Sequence, residues 1–261
     1  MTKNRVVVGV HQPHLLPWPP YIARVLHADA FVLLDSVAFR KNYYQNRVLF
    51  LDALGKETWF SLPVGGKSGR KICDIRLGEV AGLERAVNKQ HRFLDQTYAR
   101  SPHYQACRET ILEFLRRIKE CNLSLAELGE ESIRLIGHLL EVELPPIACF
   151  SDLGLETAGR TERIAGAVLA LGGDTFLSGW GQATDGRVHD LGLLRREGID
   201  TYVLDKVEAE TVNPQMVQPG VSTLHYIFKQ GPAEVRNYLL ALGMSIRPEV
   251  AHESKEAGGS A

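Results

Sequence analysis

Short apolar runs alternate with amphipathic stretches along this chain, and the alternation predicts most of its elements. Residues 5–10 form a continuous β-branched run around Gly9, which reads as a strand buried on both faces. Pro13, Pro17, Pro19 and Pro20 then forbid regular structure, because proline fixes φ and suits only the first helical turn. A helix is predicted over 20–27, with Tyr21, Ile22, Val25 and Leu26 on its apolar face. Residues 31–34 read as a second buried strand, and 46–64 as two strands around a turn at Gly55-Lys56. Residues 65–71 form a basic glycine-rich loop without P-loop spacing, expected at the surface, and 72–77 is a short strand candidate.

From 83 to 141 the apolar residues recur every three or four positions. That period predicts helices near 83–98, 103–120 and 124–141, separated at Ser101-Pro102 and at Asn122-Leu123-Ser124. Strands follow at 147–150, 175–177 and 201–204, the last taken as the final strand. A helix is predicted over 160–171, with Thr161 and Glu162 in its first turn, and two more over 222–230 and 233–242. This order predicts an α/β fold: a mostly parallel Rossmann-like sheet flanked by helices, with 83–141 as a helical lobe or insertion. The expected organisation is a single α/β domain over 1–248 and a flexible tail over 249–261.

Composition narrows the classes. The chain has 261 residues with 30 basic and 31 acidic side chains, a net charge of −1, which gives no overall signature of a nucleic-acid or membrane-surface protein. No apolar run approaches the ~20 residues of a membrane span, and the first is too short for a signal-peptide core. Cys73, Cys107, Cys121 and Cys149 include no Cys-x-x-Cys pair, so buried thiols in a reducing cytoplasm are expected.

The candidate chemistry lies just past the ends of the apolar runs, where ligands bind in open α/β sheets. His11-Gln12-Pro13-His14 has the His-x-x-His spacing of nucleotidyl and adenylyl transferases, at a strand-to-helix corner, with Pro13 where those enzymes carry glycine. The same two histidines could be plain loop residues or two metal ligands; no matching ligand set is evident, so no metal is assigned. Asp35 ends the second strand and could orient His11 or bind substrate, or serve only as a turn residue. Arg40, Lys41, Tyr43, Tyr44, Gln45, Asn46 and Arg47 combine cations, aromatics and amides suited to phosphate, carboxylate or sugar. Ser178-Gly179-Trp180-Gly181 follows a strand and could turn backbone amides to the same edge. His189-Asp190 and His225 are possible acid–base groups, although His225 sits in an amphipathic helix as a core histidine would. Cys149 is the one thiol near a strand end.

At these residues the sequence resembles the WbqC-like family. The family's His-Gln-Pro-Asn-Tyr-Leu-Pro-Trp-x-Gly-Tyr appears as His11-Gln12-Pro13-His14-Leu15-Leu16-Pro17-Trp18-Pro19-Pro20-Tyr21. Its Leu-Asp-x-Val-Gln-Phe and Gln-Asn-Arg appear as Leu34-Asp35-Ser36-Val37-Ala38-Phe39 and Gln45-Asn46-Arg47. Arg160-Thr161-Glu162-Arg163 and Leu177-Ser178-Gly179-Trp180-Gly181 match its later elements, so the resemblance runs from about residue 6 to 232. His14, Pro20 and Ala38 depart from the pattern, the 182–190 stretch replaces a Lys-Asp-Tyr segment, and His225 stands where aspartate is usual.

The resemblance implies a biosynthetic tailoring enzyme of O-antigen, other surface-glycan or secondary-metabolite clusters, with glycine transfer suggested for some members. The expected activity is transfer of an acyl or aminoacyl group to an amine or hydroxyl of a sugar or natural-product intermediate. His11 would be general base or charge stabiliser and Asp35 its orienting group. Gln12, His14, Tyr21, Lys41, Gln45, Asn46, Arg47, Ser178 and Gly179 would bind substrate. The donor would be a carrier-protein thioester, an aminoacyl-tRNA or an acyl-adenylate, and no cofactor is specified. The alternatives are nucleotidyl or adenylyl transfer and a non-catalytic ligand-binding protein that recruits a biosynthetic partner.

Overall fold

The computed structural model describes residues 5–65, 69–77, 81–157, 159–179, 189–204, 211 and 213–246. The first apolar run forms β1 (Val7–His11), and the proline-rich segment leads into α1 (Pro19–Leu26), with Pro19 and Pro20 in its first turn. Strand β2 (Ala30–Leu33) follows, then an antiparallel hairpin of β3 (Arg47–Leu51) and β4 (Glu57–Ser61). Helices α2 (Leu83–Tyr98), α3 (Pro102–Glu120) and α4 (Leu125–Leu140) match the predicted helical block. Ser124 starts α4 with a capping box: its Oγ accepts from Glu127 N–H at 3.1 Å while the Glu127 carboxylate accepts from Ser124 N–H at 2.6 Å. Then come β5 (Ile147–Cys149), α5 (Arg160–Ala170), β6 (Thr175–Ser178), α6 (Leu191–Arg196), β7 (Asp200–Leu204), α7 (Thr223–Gln230), α8 (Pro232–Ala241) and β8 (Met244–Ile246).

The main sheet has the order β5-β2-β1-β6-β7-β8, parallel throughout except for β8. Chain order therefore runs outward from β1 to β5 on one side, then returns to β6 and proceeds outward to β7 on the other. The crossover reverses direction between β1 and β6, which pair through Val7–Thr175, Val8–Phe176 and Gly9–Leu177. That switch point opens a crevice at the carboxyl ends of the two strands. One face of the sheet packs against α5 and α6 through a core containing Val8, Val10, Val32, Ile164, Val168 and Leu194. A second core runs through α1, the hairpin, α2 to α4, α7 and α8, including Tyr21, Phe50, Tyr98, Leu128 and Phe228. The block 83–141 thus shares this core, and α4 also touches β2.

Three readings need correction. Residues 72–77 are not a strand: Ile72–Asp74 is a 3₁₀ turn, with only isolated bridges at Ala38–Lys71 and Arg76–Ser124. The buried residues there are Ile72, Ile75 and Leu77. The spacing of three between Ile72 and Ile75 suits a 3₁₀ turn and breaks the strand alternation that Ile75 and Leu77 alone would keep. Strand β7 is not the last, because β8 adds an antiparallel edge through Tyr202–Ile246 and Leu204–Met244. Of the four unpaired thiols only Cys107 is buried, and Cys121 is exposed. Residues 66–68 of the basic loop, Trp180, Gly181, the 182–188 part of the divergent stretch and the tail 249–261 lie outside the described residues. Among the described residues no helix is long and apolar enough to cross a membrane.

Candidate functional site

A cavity of about 680 Å³ occupies the β1–β6 switch point. His11 and Gln12 reach it from the end of β1, and Ser178 and Gly179 from the end of β6. Val10, Leu34, Val37, Ile164 and Phe176 form its apolar wall. Arg24, Arg40, Arg160, Arg163 and His189 also line it, while no aspartate or glutamate does among the described residues.

His11 is held by its own turn. Its Nδ1 lies 3.0 Å from the carbonyl oxygen of Gln12, and a carbonyl only accepts, so Nδ1 carries the proton. Nε2 is then the basic nitrogen of the neutral ring. The pKa of His11 lies well below the usual histidine value, first because burial disfavours the imidazolium, then because Arg24 and His14 stand nearby. The bond to Gln12 opposes that shift and His189 adds to it weakly. His11 is therefore neutral at physiological pH.

Tyr21 from α1 forms the floor beneath both histidines. Its ring meets His11 edge-on at 5.1 Å and stacks on His14 at 5.0 Å, and its hydroxyl donates to Gln12 O at 3.1 Å. His14 is buried between Tyr21 and Tyr44, packs edge-on against His11 at 4.8 Å and does not line the cavity. Burial, then Arg24, pushes its pKa down to about 3. The His-x-x-His corner thus presents one histidine to the cavity and packs the other. Gly129 of α4 makes this loop possible: a Cβ there would lie 2.5 Å from the Pro13 Cβ, so only glycine lets α4 approach so closely.

Other predicted residues support the loops around the cavity. Gln45 donates to Gln12 Oε1 at 2.7 Å, Asn46 donates to Leu62 O at 2.8 Å, and Arg47 stacks 4.1 Å from the Trp59 ring centre. None of the three lines the cavity, and Lys41 is exposed away from it. Asp35 is buried, and its two oxygens accept from Ser151 N–H at 2.9 Å and Ser151 Oγ–H at 2.7 Å. That pair ties the end of β2 to the turn after β5; no bond joins Asp35 to His11. Asp190 caps α6 by accepting from Leu193 N–H at 2.9 Å. His225 bonds through Nδ1 to the Tyr98 hydroxyl at 2.7 Å, in the core. Burial raises the Cys149 thiol to about 12, with Asp35 adding to the shift, so it is no thiolate at neutral pH.

Arg24 is the residue that sequence reasoning missed. It lies in the last turn of α1, is 4% exposed, and has an Nη1 with no hydrogen-bond partner among the described residues. Burial lowers its pKa to about 10, which leaves it cationic. Arg160 and Arg163, quoted only for their resemblance to a family element, both reach the cavity because α5 starts at its rim. Among the described residues no group of three or more His, Cys, Asp or Glu is placed to hold a metal ion.

The chain is 26% identical over 235 residues to a Mycobacterium tuberculosis protein named "Uncharacterized protein Rv1507c", covering 89% of this chain and 96% of that one. No solved structure matches. Residues 12–237 match the WbqC-like protein family, and that span includes Gln12, Arg24, the Arg160-Thr161-Glu162-Arg163 turn and Ser178-Gly179, so the chain belongs to this family.

Proposed function

We propose that this protein is a biosynthetic transferase that moves an acyl or aminoacyl group onto an amine or hydroxyl of a sugar or natural-product intermediate. One observation carries the reading: a neutral histidine with a basic Nε2 lines a cavity at the switch point of a parallel sheet. In such a reaction the acceptor nitrogen or oxygen bonds to the acyl carbon. His11 takes the acceptor's proton as that bond forms and returns it to the leaving group as the carbon–leaving-group bond breaks. The cationic lining offsets negative charge that develops on the carbonyl oxygen. The cavity holds both reactants close, which accounts for much of what a transferase must supply.

The test is His11→Ala in the pathway that uses the protein, with folding checked by circular dichroism. Loss of a general base typically costs about 10²–10⁴-fold in rate, so the pathway product should fall accordingly. Product formed at the wild-type rate by a folded variant would leave only a non-catalytic binding role.

A second reading, nucleotidyl or adenylyl transfer, is favoured by the four arginines of the cavity. It stands second because His14 does not line the cavity with His11. It requires calorimetric binding of ATP or CTP in the presence of Mg²⁺, and absence of binding by either removes it.

A further inference from the structure

We propose that Arg24 is the anchor of a phosphate subsite, which takes the phosphate of a phosphate-ester donor. The proposal deepens the transferase reading and rests on it for the word donor. Three observations carry it.

The first is the state of Arg24 itself. Arg24 is 4% exposed, its guanidinium lies 5.4 Å from the Tyr21 ring centre, and its Nη1 has no hydrogen-bond partner among the described residues. A buried guanidinium is costly unless an anion meets it. Asp35 is bonded to Ser151, Asp190 caps α6, and Glu162 folds back over Gly159. No carboxylate lines the cavity among the described residues.

The second is the space kept for the guanidinium. A Cβ on Gly179 would lie 3.1 Å from both Cζ and Nη1 of Arg24. Glycine at the end of β6 therefore lets the backbone and the guanidinium lie side by side at the cavity wall.

The third is the balance of charge. Arg40 and Arg160 are exposed at the mouth, Arg163 is half-buried, and Arg24 lies deepest. One carboxylate carries a single charge and two oxygens. A phosphate ester can carry two charges and offers three acceptor oxygens, which match several arginine forks better. The graded cations also draw such a group inward. The apolar wall of Val10, Leu34, Val37, Ile164 and Phe176 then receives the organic part of the ester.

The test is calorimetry on the full chain with inorganic phosphate and with acetate at matched ionic strength. The wild-type protein should bind phosphate at least tenfold more tightly than acetate. Arg24→Met removes the charge and keeps an unbranched side chain, and should weaken phosphate binding tenfold or more. Should Arg24→Met fail to fold, Gly179→Ala carries the test: it crowds the guanidinium, leaves its charge, and should also weaken phosphate binding. AMP and 4′-phosphopantetheine distinguish the source of the ester, since the true class should bind more tightly than inorganic phosphate. Phosphate affinity unchanged in a folded Arg24→Met or in Gly179→Ala overturns the subsite, as does acetate binding as tightly as phosphate. Failure of both esters to exceed inorganic phosphate overturns the assignment to an ester. If the subsite falls while His11→Ala still abolishes product, the transferase reading stands alone; the reverse pattern leaves an anion site without His11 chemistry.

Discussion

His11 and Arg24 define each other's chemistry. The histidine is a base because burial and the adjacent guanidinium keep it neutral. The charged or titratable groups that depress it are Arg24 from α1, His14 from the same loop and, weakly, His189 ahead of α6. Replacing Arg24 by methionine removes the largest of the three, so the His11 pKa should rise. Histidine ring titration by NMR reads this directly, and a pKa that stays put or falls would show that Arg24 does not act on His11. His11, Gln12, Ser178 and Gly179 were legible in the sequence because each sits where an apolar run ends. Arg24 was not. An arginine in the last turn of a helix reads as a solvated cation near the helix C-terminus, and only tertiary packing, with Gly179 beside its guanidinium, buries it. Lys41, Gln45, Asn46 and Arg47 do not line the cavity: their side-chain chemistry suits a ligand, but local packing uses three of them to hold loops.

Elements with a full amphipathic period were read almost to the residue. Helices α2, α3 and α4 begin and end where Ser101-Pro102 and Ser124 punctuate the apolar spacing. The misses are short. The 3₁₀ turn at Ile72–Asp74, helix α6 and the three-residue strand β8 carry too few periodic positions to declare a type, and tertiary pairing decides them. The Asp35–Ser151 link is likewise invisible in the chain, since its partners are 116 positions apart. It joins β2 to the turn after β5 beside the cavity. Ser151→Ala, which takes one of the two hydrogen bonds from the buried Asp35 carboxylate, should lower the unfolding free energy by about 1–3 kcal/mol, and Asp35→Ala, which removes the carboxylate and both bonds, should lower it as well. The double variant should cost less than the sum, which a denaturant-based double-mutant cycle measures. Strict additivity would mean the pair does not clamp the two elements.

For the molecule as a whole, three desolvated neutral histidines contribute to the response to acid. His11 lies well below the ordinary value, His14 falls to about 3 and His225 to about 4. In the unfolded chain each takes up a proton as pH drops through about 6.5. The folded protein does not, so stability is full above that pH and declines below it. Each histidine contributes up to about 1.4 kcal/mol per pH unit, until the folded group itself protonates, near pH 4 for His225 and near 3 for His14. Urea unfolding at pH 7, 6 and 5 should therefore show a steady loss, and a flat profile would contradict the burial of these rings. The same cores that bury them bring β1, α1, α5 and β6 to one cavity.

The base at that cavity is open to direct observation. ¹⁵N NMR of the His11 ring at pH 7 should show a neutral imidazole protonated at Nδ1, with Nε2 carrying the lone pair. An imidazolium, or a neutral ring protonated at Nε2, would contradict the role assigned to His11.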